Sequence, residues 1–151
     1  MLPTTRPWAS DRVANGRVVG STRYYEMERW DWSAIEPGAV PAAGGGRYDR
    51  VGIGHTWLGP AAQRTPINTE AKLLMLDHAF SRWGVRAVRL QTDARNARSR
   101  AAITRIGCTY EGVLRSDRPA PDGTVRDSAM FSMLAAEWPD ARLRLEERLG
   151  G

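Results

Sequence analysis

The residues whose types and spacing could do chemistry are concentrated at positions 63–72, in the sequence QRTPINTEAK. Thr65 is a suitable helix N-cap, Pro66 suits the first helical position, and Glu70 places a negative charge in the first turn. An N-cap at Asn68 is the alternative. Either start exposes unpaired backbone N–H groups and a partial positive charge, which favour a phosphate or carboxylate ligand. Because most capped helices bind nothing, this signal needs support from its surroundings.

Two predicted strands flank this helix, at residues 51–58 and 85–92. A strand, a crossover helix and a strand predict a βαβ unit with parallel strands, so the helix start lies beside the carboxyl end of the first strand. Open α/β sheets bind their ligands at that edge. The helix is predicted to end at Gly84, and its apolar face is formed by Leu73, Leu74, Leu76, Ala79, Phe80 and Trp83.

These residues resemble the GNAT superfamily of acyl-CoA-dependent N-acetyltransferases, and in particular its ribosomal-protein-acetyltransferase-like branch. The resemblance implies an α/β (α+β) fold with a mixed, twisted sheet, flanked by helices and splayed between the strands of Val51 and Val85. It covers about residues 17–138 with one insertion, and several spaced motifs in one order are more specific than any single motif. The matching segments are residues 56–65 and 68–72, which are similar to the branch's pyrophosphate-binding motif, and residues 92–100, 111–115 and 126–129.

The resemblance also implies that acetyl-CoA is the cofactor. Backbone groups of Trp57 and Leu58 are expected to pair with the pantetheine amides as an added strand, while Asn96 steadies the pantetheine arm. Pro66 stands at a position where the family's loop is usually small, and it removes one N–H donor. The residues that match the pyrophosphate-binding donors of the family are Gln63, Arg64, Thr65, Ile67, Asn68 and Thr69.

Ser99 is the first of two catalytic candidates, because it matches a family position near the thioester sulfur. Many family members place a tyrosine four residues further on as the general acid, but this chain has Ile103 there. Ser99 is then the nearest hydroxyl to the leaving thiolate. The alternative is that Ser99 only satisfies the start of its helix.

His55 is the second catalytic candidate, as the general base that an ammonium acceptor requires. Related sequences often carry a glutamate at the position of Gly52, which leaves His55 as the titratable group on that strand. His55 shares a predicted strand face with Ile53 and Trp57, so a core role is its alternative interpretation. Water could also serve as both acid and base, with the enzyme supplying proximity and a backbone contact to the oxyanion.

The remaining elements follow from turn and capping signals. Asn15 and Gly16 predict a hairpin turn between strands at about residues 8–14 and 17–25. A second helix is predicted from Asn96 to Ile106, ended by Gly107. Two closing strands are predicted at residues 108–114 and 126–134, and a last helix, residues 140–149, is expected to be a solvated cover.

Residues 26–50 are rich in glycine and proline and predict a long loop. Trp30 and Trp32 in this loop either pack over the acceptor pocket or a partner, or anchor the loop to the domain's own surface. The hairpin matches the second and third strands of the family's fold, so the family's opening strand and two helices are expected to be missing. Either the start is truncated, or the second subunit of a homodimer supplies that wall of the acceptor site.

Composition favours one acyltransferase-like domain, residues 1–151, with residues 26–50 as an insertion. Lys+Arg number 22 against 17 Asp+Glu, for a net charge of +5. The arginines are spread along the chain, which disfavours nucleic-acid binding. The single cysteine, Cys108, excludes an internal disulfide and is expected to be a small core residue. The absence of a long apolar run and of a signal-peptide pattern predicts a cytoplasmic protein without a membrane segment, and no metal spacing is visible.

The function expected from this sequence is transfer of an acetyl group from acetyl-CoA to a primary amine by direct attack. The acceptor is either a protein N-terminus or a small-molecule amine. The alternative, suggested by Ile103 and Gly52, is a catalytically silent acyl-CoA-binding or structural remnant of an acetyltransferase.

Overall fold

The computed structural model describes residues 8–12, 16–34 and 46–150. A 3-10 turn, Pro60–Ala62, precedes α1, and a π-helical segment, His78–Arg82, follows it. The helices are α1 (Ile67–Asp77), α2 (Ala97–Ile106) and α3 (Trp138–Gly150). The strands are β1 (Trp8–Arg12), β2 (Arg17–Glu28), β3 (Arg50–Leu58), β4 (Ala87–Asp93), β5 (Thr109–Pro119) and β6 (Val125–Leu134).

The described strands form a six-stranded mixed sheet in the order β1-β2-β3-β4-β6-β5. Among these described strands, only β3 and β4 are parallel neighbours, as the crossover through α1 requires. Their pairing is limited to Arg50–Gly52 against Ala87–Arg89, whereas β4 stays paired with β6 as far as Asp93. Beyond Gly52 the two parallel strands therefore separate, and the predicted splay of the sheet is confirmed.

The core lies between one face of the sheet and the three helices. Ile53, Val88 and Phe131 come from the sheet, and Leu76 and Leu145 come from α1 and α3. The expectation that the last helix is only a solvated cover is wrong. Its residues Trp138, Ala141 and Leu145 are buried, because their spacing aligns them on one helix face despite the charges between them.

Helix α1 begins one residue after the earlier of the two predicted starts, with Pro66 and not Thr65 at the N-cap position. The N–H of Glu70 donates to the carbonyl of Pro66 at 2.9 Å, so the alternative N-cap at Asn68 is wrong. The predicted apolar face is wrong at Leu74, which is 64% exposed. Lys72 takes the inward position and is only 3% exposed. The buried residues Lys72, Met75, Leu76 and Ala79 are spaced as one helical face, and the lysine conceals that face in the sequence.

Helix α2 has the predicted boundaries. The Asn96 side chain accepts a hydrogen bond from the Ser99 N–H at 3.0 Å, and Gly107 ends the helix with a φ of 106°. The left-handed backbone at this C-terminus favours glycine. Ile103 and Ile106 are buried against the sheet.

Strand β2 runs to Glu28, three residues into the predicted loop of residues 26–50. Asp49 holds both tryptophans of that segment: it accepts from the Trp30 N–H at 2.9 Å and from the Trp32 indole N–H at 3.2 Å. These contacts favour the interpretation that the tryptophans anchor the segment to the domain's own surface. Asn15 of the predicted hairpin turn and residues 35–45 lie outside the described residues, and Gly16 has a φ of 63°.

Candidate active site at the splayed strands

The loop before α1 presents backbone donors toward the carboxyl end of β3. Within the described residues, the amides of Arg64, Thr65, Asn68 and Thr69 donate no hydrogen bond, and Ile67 makes only a long contact of 3.4 Å to the Thr65 hydroxyl. Arg64 has a φ of 58°, a left-handed conformation that turns the chain into the helix. Free amides at a helix start form an anion-binding site.

Gln63 contributes its side chain to this loop. Its backbone N–H is already used, donating to the Pro60 carbonyl at 3.3 Å. The side-chain amide donates to the Leu58 carbonyl at 3.1 Å and accepts from Arg98 of α2 at 3.3 Å. Gln63 therefore joins the end of β3 to the start of α2, and brings the two predicted cofactor-binding segments together. The hydrogen bond from the Gln63 side chain uses the carbonyl of Leu58, which is one of the groups expected to pair with pantetheine.

Two asparagines with predicted cofactor contacts flank the same region. Asn96 uses its side-chain oxygen as the cap of α2, which leaves the amide nitrogen available to a ligand. Asn68 has a buried side-chain oxygen with no hydrogen-bond partner among the described residues. Trp57, at the open edge of β3, is 60% exposed. These positions leave unsatisfied polar groups and exposed aromatic surface along the splay.

A β-bulge lies in β3 at the start of the open edge. Arg23 faces Gly54 and Ser21 faces Trp57, so that His55 and Thr56 together oppose Thr22. His55 accordingly has a φ of 50°. Bulges redirect side chains, and this one reverses the strand alternation on which the sequence prediction for His55 depended.

His55 does not share a face with Ile53, and that part of the prediction is wrong. Ile53 is buried under the helices, whereas His55 is exposed and its ring lies edge-on to the Tyr25 ring with centroids 5.3 Å apart. Partial burial, with the nearby guanidinium groups of Arg23 and Arg118, holds the pKa of His55 below 6.5. The imidazole is then neutral at pH 7 and can accept a proton.

Tyr25 is a site residue that the sequence prediction missed. Its ring lies over Gly52, where an added Cβ would come within 2.6 Å of the ring carbon that carries the hydroxyl. The residue is 8% exposed, and its hydroxyl has no hydrogen-bond partner among the described residues. Burial raises the pKa of Tyr25 to about 12, so the phenol stays protonated. The only signal in the sequence was the glycine at position 52, which makes room for the ring.

Ser99 and Ile103 differ in their surroundings. Ile103 is buried in the core, and its side chain cannot take part in chemistry. Ser99 is half-buried, and within the described residues its hydroxyl makes no hydrogen bond. No hydrogen bond or ring contact joins Ser99 to His55 in that part of the chain, so the structure does not link the two predicted catalytic residues directly.

Lys72 is the second residue that the sequence prediction missed. Its ammonium group donates to the hydroxyls of Thr22 at 3.0 Å and Thr56 at 2.9 Å, on the helix side of the bulge. Burial lowers the pKa of Lys72 to about 8. Lys72 therefore links β2 and β3 by hydrogen bonds on the helix side of the sheet.

The chain belongs to the GNAT acetyltransferase family, because the model of the acetyltransferase (GNAT) domain matches residues 3–109. A T. thermophilus protein provisionally described as an acetyltransferase is 32% identical, with a TM-score of 0.76 over 98% of this chain and 68% of that one. A GCN5-related N-acetyltransferase from Brucella melitensis is 29% identical, with a TM-score of 0.72 over 89% of this chain. This chain spans only 52% of the Brucella protein.

A more distant structure shows the same fold. Mycobacterium smegmatis RimJ, solved in complex with CoA-disulfide, is 24% identical, with a TM-score of 0.69 over 89% of this chain and 56% of that one. No curated protein matches the sequence. Among the described residues, no helix is long and apolar enough to cross a membrane, and no group of His, Cys, Asp and Glu is arranged to hold a metal ion.

Proposed function

We propose that this chain transfers the acetyl group of acetyl-CoA to a primary amine by direct attack. The observation that carries the proposal is the separation of β3 from β4 beyond Gly52, beside free backbone donors at the start of α1. An extended ligand can add to the open edge of β3 while its anionic end is held by the helix start. The bound coenzyme A derivative in the RimJ structure supports this choice of ligand.

The residues proposed to hold acetyl-CoA fall into three groups. Asn96 binds the pantetheine arm through its free amide nitrogen, and the open edge of β3 at Trp57 and Leu58 accepts the arm as an added strand. Gln63 positions the loop through its two side-chain hydrogen bonds. The pyrophosphate is held by the backbone donors of Arg64, Thr65, Ile67, Asn68 and Thr69.

His55 and Ser99 are the proposed catalytic residues. Acetyl-CoA supplies the acetyl carbonyl and the thiolate leaving group. His55 accepts the proton that the amine releases as the new C–N bond forms, because its imidazole is neutral at pH 7. Ser99 donates a hydrogen bond toward the leaving sulfur, and solvent supplies the proton that the thiolate takes up after the C–S bond breaks.

Calorimetric titration of acetyl-CoA tests the binding half of this proposal. We expect salt-sensitive binding, weakened several-fold in Asn96→Asp, which keeps the helix cap but loses the amide donor. Arg64→Gly permits the left-handed backbone and removes the whole side chain with its guanidinium, so it should also bind more weakly at low salt. Arg82→Gln, an exposed change on the opposite side, is the control. No detectable binding by the intact chain would overturn the proposal.

A pH profile of coenzyme A release tests the role of His55. With any amine that is turned over, kcat/KM should fall on the acid side with a midpoint below pH 6.5, since the pKa of His55 is lowered. His55→Gln should reduce kcat/KM by about 100-fold and abolish its decrease at acid pH. If kcat/KM of His55→Gln still decreases at acid pH, the base is another group or water.

A catalytically silent acyl-CoA-binding protein is the second candidate. The observation that favours it is Ile103 of α2, a buried residue without a hydroxyl where many family members have a tyrosine. Acetyl-CoA binding without acetylation of any amine would establish this candidate.

Several finer features belong to the same proposal. The chain is proposed to belong to the ribosomal-protein-acetyltransferase-like branch and to act on a protein N-terminus or a small amine. It is also proposed to form a homodimer and to lie in the cytoplasm. Light scattering of the purified chain tests the homodimer, and a panel of peptide and small-molecule amines distinguishes a protein N-terminus from a small amine as acceptor.

A further inference from the structure

The face of the sheet opposite the helices carries a cluster of three donors beside His55. Arg23 and Tyr25 lie on β2, directly across from Gly54 and Gly52 of β3, and Gly52 is in register with Arg89 of β4. Residues opposite one another on neighbouring strands project from the same face. We name Arg23, Tyr25 and Arg89 the acceptor-side cluster.

The two glycines of β3 make room for the Tyr25 ring between the arginines of this cluster. The far edge of the Tyr25 ring lies over Gly52, and the same edge is 3.0 Å from the position of an added Cβ at Gly54. The Tyr25 ring therefore extends from β2 over β3 toward Arg89 of β4, on the face of the sheet opposite the helices. The buried hydroxyl at its tip has no partner among the described residues.

The two arginines of the cluster also have unused binding capacity. The Nε–H of Arg23 is buried without an acceptor in the described part of the chain. Arg89 has no carboxylate within ion-pair distance among those residues. The nearby carboxylate of Glu28 is held by Arg50 at 2.7 Å. Within the described residues, the Nε–H of Arg23 and the guanidinium of Arg89 are therefore donors that an anion could use.

The wider surroundings contain two further arginines, and also Glu111, whose carboxylate accepts a hydrogen bond from Ser132, the residue across from Arg89. Arg118 and Arg126 act on His55 and Tyr25 through their positive charge, which favours the deprotonated form of each side chain. Arg118 pairs with Asp117 at 2.8 Å, and Arg126 donates to the Ser128 hydroxyl at 2.8 Å. Glu26 is the acidic residue that acts on the same two side chains, and it is exposed. Arg23 and Arg89 favour a carboxylate or phosphate over a polycation, because an anion would gain charge-assisted hydrogen bonds from them.

We propose that the acceptor is a primary amine that also carries a carboxylate or phosphate, and that Arg23, Arg89 and the Tyr25 hydroxyl bind that anionic group. The inference rests on the proposed function and names the substrate class of the same site. His55, in ring contact with Tyr25, then faces the amine end of the acceptor. The anionic group can belong to a free amino acid or to an acidic residue of a peptide.

Matched acceptor pairs test this substrate class in a coenzyme A release assay with the full chain. β-Alanine is compared with β-alaninamide, alanyl-glutamate with alanyl-glutamine, and spermidine serves as the polycation. We expect kcat/KM to be about tenfold or more higher for the acidic member of at least one pair. The pair that shows the difference distinguishes a free amino acid from an acidic peptide.

Variants of the cluster sharpen the test. Arg23→Gln and Arg89→Gln should each raise KM for the acidic acceptor by about tenfold, leave KM for the neutral member unchanged, and leave kcat within about twofold. Tyr25→Phe should act in the same direction with a smaller change. Arg82→Gln, on the helix side, should have no effect on either acceptor.

The outcomes separate this inference from the proposed function. Equal or better turnover of spermidine, or of the neutral member in both pairs, would overturn the inference while acetyl transfer itself stands. If no amine is acetylated, the proposed function fails, and titration of N-acetylglutamate into the coenzyme A-bound chain decides the anion site by itself. Binding that is lost in Arg89→Gln would support the site, and no binding would overturn it.

Discussion

Two consecutive tyrosines on β2 have opposite surroundings. Tyr24 points toward the helices, where its hydroxyl donates to the Met75 carbonyl at 2.7 Å. Tyr25 points to the other face, where its hydroxyl has no partner among the described residues. The two residues are buried to a similar degree, 4% and 8% exposed. Burial alone therefore does not explain why only one of them is satisfied.

The same contrast extends to the charged neighbours of the two tyrosines. On the helix side, the buried ammonium of Lys72 is bound by Thr22 and Thr56. On the helix-free side, the Nε–H of Arg23 lacks an acceptor in the described part of the chain. Buried polar groups in native proteins are nearly always paired. We infer that the paired groups stabilise the fold, and that the unpaired ones are reserved for a ligand.

The largest expected effect that tests this contrast concerns Lys72. Its pKa falls from 10.5 to about 8 on folding, so below pH 8 the folded chain must bury the charge at a cost of roughly 3 kcal/mol. Between pH 8 and 10.5 the unfolded chain binds more protons, and the free energy of unfolding should therefore rise with pH. Lys72→Met should remove this rise.

Denaturant unfolding of the wild type and of Lys72→Met at several pH values between about 7 and 10 measures the effect. The difference between the two curves cancels groups that titrate in both proteins. Lys72→Arg, which stays charged throughout this range, is the control and should remain destabilised at high pH. Parallel curves for the wild type and Lys72→Met would show that the amine keeps its ordinary pKa, and that the hydroxyls stabilise its charged form.

The next largest effect concerns the fit between Gly52 and Tyr25. Gly52→Ala places a methyl group within 2.8 Å of three ring atoms, so the ring must move, at a cost of roughly 1–3 kcal/mol. In a Tyr25→Ala background the same change should cost much less. Thermal unfolding of the two single variants and the double variant gives the coupling energy. Additive effects would mean that the ring does not rest on Gly52.

Much of the fold was predictable because its signals are local. Asn96 and Gly107 bound α2 through capping chemistry, and the strand, helix and strand around residues 63–72 fixed the parallel pair. The splay was implied by family resemblance, and the register of β3 against β4 confirmed it. Such features depend on a few adjacent residues, which the sequence displays directly.

The parts that failed depend on long-range packing. A bulge reversed the face of His55, and Gly54, the residue before it, does not by itself specify where the extra residue is accommodated. Lys72 hid the buried face of α1, because a pattern of polarity assigns lysine to the surface. Tyr25 was missed because the space for its ring is created by Gly52, which lies on another strand. Its importance follows only from the register of β2 against β3.

The smallest expected effect compares the two tyrosines directly. Tyr24→Phe removes a buried hydrogen bond and should reduce the free energy of unfolding by about 1 kcal/mol. The loss stays modest because the Met75 carbonyl also accepts from the His78 N–H. Tyr25→Phe removes a hydroxyl with no partner among the described residues and should leave the stability unchanged or slightly raised. Urea unfolding of both variants in the absence of ligands measures the difference.

The same pair of variants then separates a structural hydroxyl from a ligand-binding one. In the presence of an acidic acceptor that is turned over, Tyr25→Phe should raise KM, whereas Tyr24→Phe should leave KM unchanged and affect only stability. If Tyr25→Phe costs as much stability as Tyr24→Phe, its hydroxyl already has a bound partner in the free protein. The helix-free face would then be satisfied like the helix side, and the unpaired donors would not indicate a ligand.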